Sequence, residues 1–300
     1  MPLLNSKNMN ILVTGSNGQL GSEIKDLAKI YTNFSFFFTD SSDLDICNSS
    51  QLDIYFKKNR IHTVINCAAF TAVDKAEQDA ETAEKVNSEG VLNIVNALKK
   101  VDGRLIHIST DYVFDGNSFL PYQESDEVNP IGVYGDTKRR GELAVINSGI
   151  DGIVIRTSWL YSAYGNNFVK TMLRLGNDRD ELGVIFDQVG SPTNACDLAK
   201  TCLDILAYNN EDNIKSKGNL YHFSNEGVAS WYDFALAIMK LGNVDCRVKP
   251  IETKEYPTPA KRPHYSVLNK SKIKNDFKIE IPHWRASLAT CISKLNNKFN

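Results

Sequence analysis

The sequence predicts an α/β protein built on a doubly wound parallel sheet, and three observations carry that expectation. Short β-rich runs alternate with longer helical patterns, the runs are apolar on both pleat faces, and the first run passes straight into a glycine-rich turn. Strands separated by helices pair in parallel, and a parallel sheet covered on both faces shows continuous rather than alternating apolar runs. The strand runs are NILVT (10–14), FSFFF (34–38), HTVINC (62–67), RLIHIS (104–109) and GIVIRT (152–157). Segment 80–99 places Ala83, Val86, Val91, Ile94 and Leu98 near helical spacing with a lysine pair in its last turn, so one long helix is expected there.

Past residue 157 the rhythm changes to helices near 166–176, 195–208, 230–241 and 284–296. The expected division is a core domain over 9–157 and a smaller lobe over 158–300, with some elements of the second half returning to the core. Segment 250–265 holds four prolines and reads as an irregular loop or lid edge. Residues 1–8, ahead of Met9, read as an extension and are given no function.

With 300 residues, 42% of them hydrophobic, the chain can bury a substantial core without disulfides or metal. Thirty-four Lys and Arg against 36 Asp and Glu leave a net charge of -2, so no long-range positive field drives nucleic-acid binding. The six cysteines form no CxxC pair and read as reduced thiols. No apolar stretch has the length of a membrane span or the layout of a leader, which predicts a cytoplasmic protein. The five histidines form no ligand-spaced pair, so no His-based metal site is expected.

The glycine turn, TGSNGQLGSEI, spaces Gly15, Gly18 and Gly21 three apart before a helix, with Ser16, Asn17, Gln19 and Leu20 completing it. One glycine permits the tight turn, one lets backbone approach a pyrophosphate, and one allows the helix to pack closely on the sheet. This reads as a Rossmann-type, dinucleotide-binding domain, with a tight βα turn that uses glycine merely to reach positive φ as the alternative. Asp40 follows the second strand, where a carboxylate accepts from an adenosine ribose hydroxyl and repels a 2′-phosphate, which leans the choice between NADPH and NADH towards NADH. A solvated turn aspartate is the alternative. Asp45 and Ile46 sit where a loop cradles adenine, though Asp45 also reads as a helix cap.

Tyr134 and Lys138 lie four apart on one helix face. A nearby cation is what makes a tyrosine, with its ordinary pKa of about 10, a useful acid near neutrality. Thr110 ends the fourth strand, where its hydroxyl can orient a carbonyl oxygen or close a local turn. Together the glycine turn, the strand-end threonine and Tyr-x-x-x-Lys resemble an extended short-chain dehydrogenase/reductase. NCAAFTAVDKAE (66–77), STDYVFDG (109–116), VYGDTKRRGE (133–142), RTSWLY (156–161), GNNFVKTML (165–173), DQVGSPT (187–193) and AKRPHYSVL (260–268) narrow the likeness to the dTDP-4-dehydrorhamnose reductase family.

That resemblance implies reduction of the C4 keto group of a dTDP-6-deoxy-4-keto-L-sugar to dTDP-L-rhamnose by NADH or NADPH, with Thr110, Tyr134 and Lys138 as the catalytic triad. It implies that Ala68 and Ala69 lie beneath the cofactor, with strand-helix packing alone as the alternative, and that Asn87 stands near the active site. A backbone-bonded core asparagine is the equal alternative for Asn87. Trp159 is expected to cover the apolar face of the deoxysugar or to be buried in the core. Asn167 and Phe168 are expected at the nucleotide, with a helix N-cap as the alternative for Asn167, and Arg262 at the diphosphate or free in a loop. Lys75 and Glu77 are unassigned. Some members bridge dimers through a metal held by acids; here Cys196 and Arg285 fall in those regions, so no metal is expected, while a homodimer stays open. A 4,6-dehydratase or epimerase and an idle dinucleotide-binding regulatory subunit are the competing readings. Thr110 is followed by Asp111-Tyr112, without the added acid pair a dehydratase needs.

Overall fold

The computed structural model describes residues 9–208 and 219–299; residues 1–8 lie outside that range. Five strands form where the apolar runs predict them: β1 (Met9–Thr14), β2 (Phe34–Phe38), β3 (Thr63–Asn66), β4 (Arg104–Thr110) and β5 (Asp151–Thr157). Four short strands follow: β6 (Leu160–Tyr161), β7 (Glu181–Ile185), β8 (Val189–Gly190) and β9 (Thr193–Asn194). The last four are β10 (Asn219–His222), β11 (Ala229–Ser230), β12 (Arg247–Ile251) and β13 (Tyr265–Ser266). The main sheet runs β10-β5-β4-β3-β1-β2 and is parallel throughout. β10 was not expected, since four residues without a continuous apolar run carry no strand signal. It nevertheless returns the second half of the chain to the edge of the sheet.

Helices cover both faces, as the two-sided burial of the strands requires. On one face Ile11, Val13, Ile106, Ile153 and Ile155 meet α1 (Gln19–Leu27) and α8 (Ala195–Ala207). On the other, Leu12, Val64, Leu105 and Val154 meet α2 (Ser49–Asn59) and the helical segment over 80–99. That segment is not one helix. A short turn of helix, α3 (Val73–Ala76), precedes α4 (Ala80–Glu84), a π-helical turn (Lys85–Glu89) and α5 (Gly90–Lys99). A wider turn shifts the phase of the apolar stripe by one residue, too little to disturb the pattern from which a continuous helix was expected. The next helix, α6 (Val133–Ile146), packs against the π turn and carries Tyr134 and Lys138.

A second core, around Val169, Phe234, Ile238 and Trp284, is built from α7 (Phe168–Asp178), α9 (Trp231–Gly242) and α11 (Trp284–Phe299), with α10 (Ser271–Phe277) alongside the sheet. The segment expected to be irregular over 250–265 is partly ordered. It opens in β12, which pairs with β7, and continues in a 3-10 turn at Thr253–Glu255. Among the described residues all six cysteines are unpaired, and no helix is long and apolar enough to cross a membrane.

Behind α6 lies a buried ion pair. Arg156 of β5, 1% exposed, donates from Nε and Nη2 to both oxygens of Glu142 at 2.7 and 2.8 Å, and Arg139 adds a further bond of 2.8 Å. Replacing Arg156 by leucine strands a buried carboxylate, which costs about 3 kcal/mol. The thermal midpoint of Arg156→Leu is expected to fall by several degrees in calorimetry; an unchanged midpoint would show that Arg139 alone satisfies Glu142.

Candidate active site

The strand order reverses between β1 and β3, since the chain leaves β1 for β2 on one side and returns to β3 on the other. Loops leaving the carboxyl ends of neighbouring strands diverge at such a point and leave a crevice. A cleft of about 820 Å³ opens there, lined by the turn after β1, the loops after β3, β4 and β5, and the first turns of α6.

The floor is the glycine turn. Gly15 has φ +60°, and a side chain on it would meet the backbone of Ala68 at 2.7 Å. A side chain on Gly21 would stand 2.5 Å from the Cα of Ser16, so only glycine lets α1 start this close to the turn. Gly18 caps α1 without a side-chain bond, leaving the first helical N–H groups unpaired by any cap. Unpaired donors and the positive end of the helix dipole, with no side chain in the way, make a cradle that fits the pyrophosphate of a dinucleotide. Asn17, Gly18, Gln19 and Leu20 line the cleft, with Ala68 and Ala69 opposite. Ser16 does not: it is buried behind the turn, its N–H donating to the Thr39 carbonyl.

The far wall holds the Tyr134 constellation. Thr110 ends β4 with its hydroxyl donating to Asp111 at 3.0 Å and accepting from the Tyr112 N–H at 3.2 Å, so it closes a local turn and faces the cleft at once. The Tyr134 hydroxyl lies within hydrogen-bond reach of Thr110, and the Tyr112 ring stands edge-on to the Tyr134 ring at 5.4 Å. Burial pushes Tyr134 up to about 12, with the Thr110 bond acting downward and the Asp111 charge upward. The expected pairing with Lys138 takes another form. Lys138, 2% exposed, donates to the Ile108 carbonyl at 2.6 Å, and burial pushes it down to about 8 against the pull of Glu142 and Cys67. The backbone acceptor at the end of β4 holds the ammonium, so Tyr134 keeps its proton rather than surrendering it to a neighbouring charge.

The chain as a whole is similar to known proteins. Residues 9–297 match the family described as the RmlD substrate binding domain. A dTDP-4-dehydrorhamnose reductase of Aggregatibacter actinomycetemcomitans is 40% identical over 288 residues, covering 93% of this chain and 96% of the relative. Among solved structures, a dTDP-4-dehydrorhamnose reductase of Clostridium acetobutylicum is 43% identical with a TM-score of 0.90, covering 96% of this chain and 100% of that one. One from Bacillus anthracis, solved in complex with NADP, is 36% identical with a TM-score of 0.90, covering 96% and 99%. The chain belongs to the RmlD family.

The other residues expected at the site of this RmlD-family chain divide in two. Asp40 and Ile46 line the cleft, as do Trp159 and Asn167. Asp40 accepts from the Ser42 N–H and hydroxyl at 2.9 and 2.7 Å and from Asn17, bonds that hold its carboxyl below the usual range and keep it charged. Asn167 caps α7 and also donates to Gln19 of the glycine turn at 3.0 Å, which ties the two walls together. Three residues stand back from the cleft. Asp45 accepts from the Cys47 N–H at 2.9 Å, closing its own loop. Phe168 packs against Trp231 at 4.6 Å because it opens the apolar face of α7. Arg262 is neither free nor at the cleft lining, since Asp74 holds it through Nη2 and Nη1 at 2.8 and 3.2 Å.

Asn87 has two expected places, near the active site or bonded to backbone in the core, while Glu77, Asp111 and Tyr112 carry no site assignment from the sequence. Asn87 on the π turn is fully buried; it accepts from the Phe70 N–H at 2.8 Å and donates to the Phe70 carbonyl and to Thr137 of α6. It is the backbone-bonded core asparagine. Glu77 accepts from the Val133 N–H at 2.8 Å and so caps the helix that begins one residue before Tyr134. Asp111 and Tyr112 line the cleft, burial pushing the Asp111 carboxyl up to about 6. The STDY string was the signal available for both. Among the described residues no group of three or more His, Cys, Asp and Glu side chains is placed to hold a metal ion.

Two outcomes follow from these charges. Lys138 titrates first: kcat/KM for the coenzyme, which reports the free enzyme, should fall as pH rises through about 8 while Tyr134 stays protonated. A profile flat from neutrality to well above that pH would contradict it. Because Asp40 is ionised where the adenosine ribose would sit, Asp40→Asn should raise kcat/KM for NADPH relative to NADH by about ten-fold, the weight of roughly 1.4 kcal/mol of like-charge repulsion. An unaltered ratio would remove Asp40 from the ribose.

Proposed function

We propose that this chain reduces the C4 keto group of dTDP-4-dehydro-L-rhamnose to give dTDP-L-rhamnose, at the expense of NADPH or NADH, as the last step of dTDP-rhamnose biosynthesis in the cytoplasm. The observation that carries this reading is the meeting of the Tyr134–Thr110 pair, buried Lys138 and the glycine cradle in one cleft, in a chain whose relatives bear the name of that reductase. Residues 9–157 would bind the dinucleotide and most of 158–300 the sugar nucleotide.

Bound NAD(P)H supplies the hydride. The protein's part is to hold the keto carbon, deliver a proton to its oxygen and keep water out. Tyr134 is the proton donor: held protonated by burial, it gives its proton to the oxygen at C4 as negative charge develops there. Thr110 orients that oxygen, and its link to Asp111 fixes the hydroxyl's rotation. Lys138, anchored on the Ile108 carbonyl, offers its remaining N–H donors to the nicotinamide ribose and its charge to the phenolate left behind. The α1 N-terminus takes the diphosphate of the coenzyme, Asn167 the nucleotide of the substrate and Trp159 its sugar.

Tyr134→Phe removes only the proton donor. It should bind coenzyme normally and lose turnover by a factor on the order of 10² to 10⁴. Steady-state assay with the 4-keto-6-deoxy sugar nucleotide and NAD(P)H reads this directly, and near-wild-type turnover would remove Tyr134 from the chemistry. In wild type the same assay should consume one coenzyme per product. Internally recycled coenzyme would mean a dehydratase or epimerase, and no turnover a regulatory subunit.

A further inference from the structure

Five non-glycine residues among those described have positive φ: Arg60, Asp102, Trp159, Asn243 and Lys278. Arg60, Asn243 and Lys278 are helix C-caps, where a left-handed residue closes the last turn. Trp159, at φ 49°, closes no helix; it lies in the cleft-lining link between β5 and β6. A bulky side chain in this region strains the backbone, and such a conformation persists only where the surroundings over-determine it.

The surroundings do so here. The loop is stitched on both sides, the Ser158 hydroxyl donating to the Ser191 carbonyl at 2.9 Å and the Thr193 N–H to the Trp159 carbonyl at 3.1 Å. The indole stacks on Trp231, with ring centroids 3.6 Å apart and planes 10° from parallel. Its edge lies over Gly190, where a Cβ would come within 2.7 Å of Cε2. Trp231 is itself fixed as the first residue of α9, behind a capping box between Ser230 and Asp233, with Phe168 against it. Gly190, in the DQVGSPT string, has no positive φ that would call for glycine. The room for the indole is what its missing side chain provides.

We propose that Trp231 and Gly190 are positioning residues that hold the strained Trp159 indole in the cleft as a preformed wall for the apolar face of the deoxysugar. This rests on the reductase reading above. An indole ordered in advance loses no rotamer freedom when the sugar binds, so its supports act on substrate affinity. None of the contacts that hold it involves Tyr134, Thr110 or Lys138, so the chemical step is spared.

The test is steady-state kinetics on Trp231→Leu, Trp231→Phe and Gly190→Ala, with Trp159→Ala as reference, together with far-ultraviolet circular dichroism, in which two stacked indoles give an exciton couplet. Trp231→Leu should lose the couplet and raise KM for the sugar nucleotide about ten-fold, equivalent to about 1.4 kcal/mol. Its kcat should stay within about two-fold and KM for the coenzyme should not move. Gly190→Ala, whose backbone suits any residue, should raise the same KM by pushing the indole aside, and it decides the matter if Trp231→Leu does not fold. Trp231→Phe, which restores an aromatic face, should recover most of the affinity. Unchanged KM in both Gly190→Ala and Trp231→Leu, with Trp159→Ala impaired, overturns the positioning role alone. Unchanged KM in Trp159→Ala removes the indole from the sugar site and overturns the inference with it. A wild-type protein that binds coenzyme without turning over this sugar overturns the reductase reading, and with it this inference, whatever the couplet shows.

Discussion

Asn87 is buried at the centre of the molecule and spends every polar atom of its side chain on fixing two other elements. Its carboxamide closes on both backbone groups of Phe70, in the loop that carries Ala68 and Ala69, and reaches Thr137, between Tyr134 and Lys138 on α6. A buried amide with an unmet donor or acceptor would lose roughly 1–3 kcal/mol per group, so the arrangement is close to all-or-none. The π turn brings this about, and its backbone approaches α6 so closely that a side chain on Gly141 would stand 2.2 Å from the Asn87 carbonyl. Loop and helix, the two halves of the cleft nearest the chemistry, are thereby set at one distance from each other.

Charge behind this joint follows the same logic. Glu142 sits one turn beyond Lys138 on α6 and is paired with Arg156 and Arg139. The buried carboxylate is stabilised enough to stay below its ordinary range despite burial, and its field is what limits the downward push on Lys138. A strand-end carbonyl then takes the ammonium itself. Tyr134 is left in a desolvated setting, with the Asp111 carboxyl nearby, that keeps its proton in place.

The second half of the chain closes the cleft by being tied to the first at several points rather than by one large interface. Glu23 of α1, buried, accepts from Ser162 and from Lys294 of α11, each at 2.6 Å, and Lys294 also reaches Asp26. Asn167 adds its bond to Gln19, and Arg262 its pair with Asp74. The segment between β5 and α7, which carries Trp159, is therefore held against α1 through Ser162 and Asn167 and against the β8–β9 segment through Ser158 and Trp159.

The sequence alone determined the core strands β1 to β5, the glycine turn and the helix face shared by Tyr134 and Lys138, because each is written in local signals: continuous apolar runs, glycine where a side chain collides with backbone, and i,i+4 spacing. It also placed Thr110 correctly at a strand end. Tertiary structure decided what depends on distant partners. Lys138 donates to the carbonyl of a residue in another element, Asp74 captures Arg262 from the far side of the chain, Glu77 caps α6 across a long separation, and Phe168 turns into an aromatic stack whose other members lie elsewhere in sequence. β10 and the π turn escaped for a related reason. A four-residue edge strand is stabilised by its neighbour β5, and a single wide turn by the helix packed on it, so neither leaves a periodicity of its own.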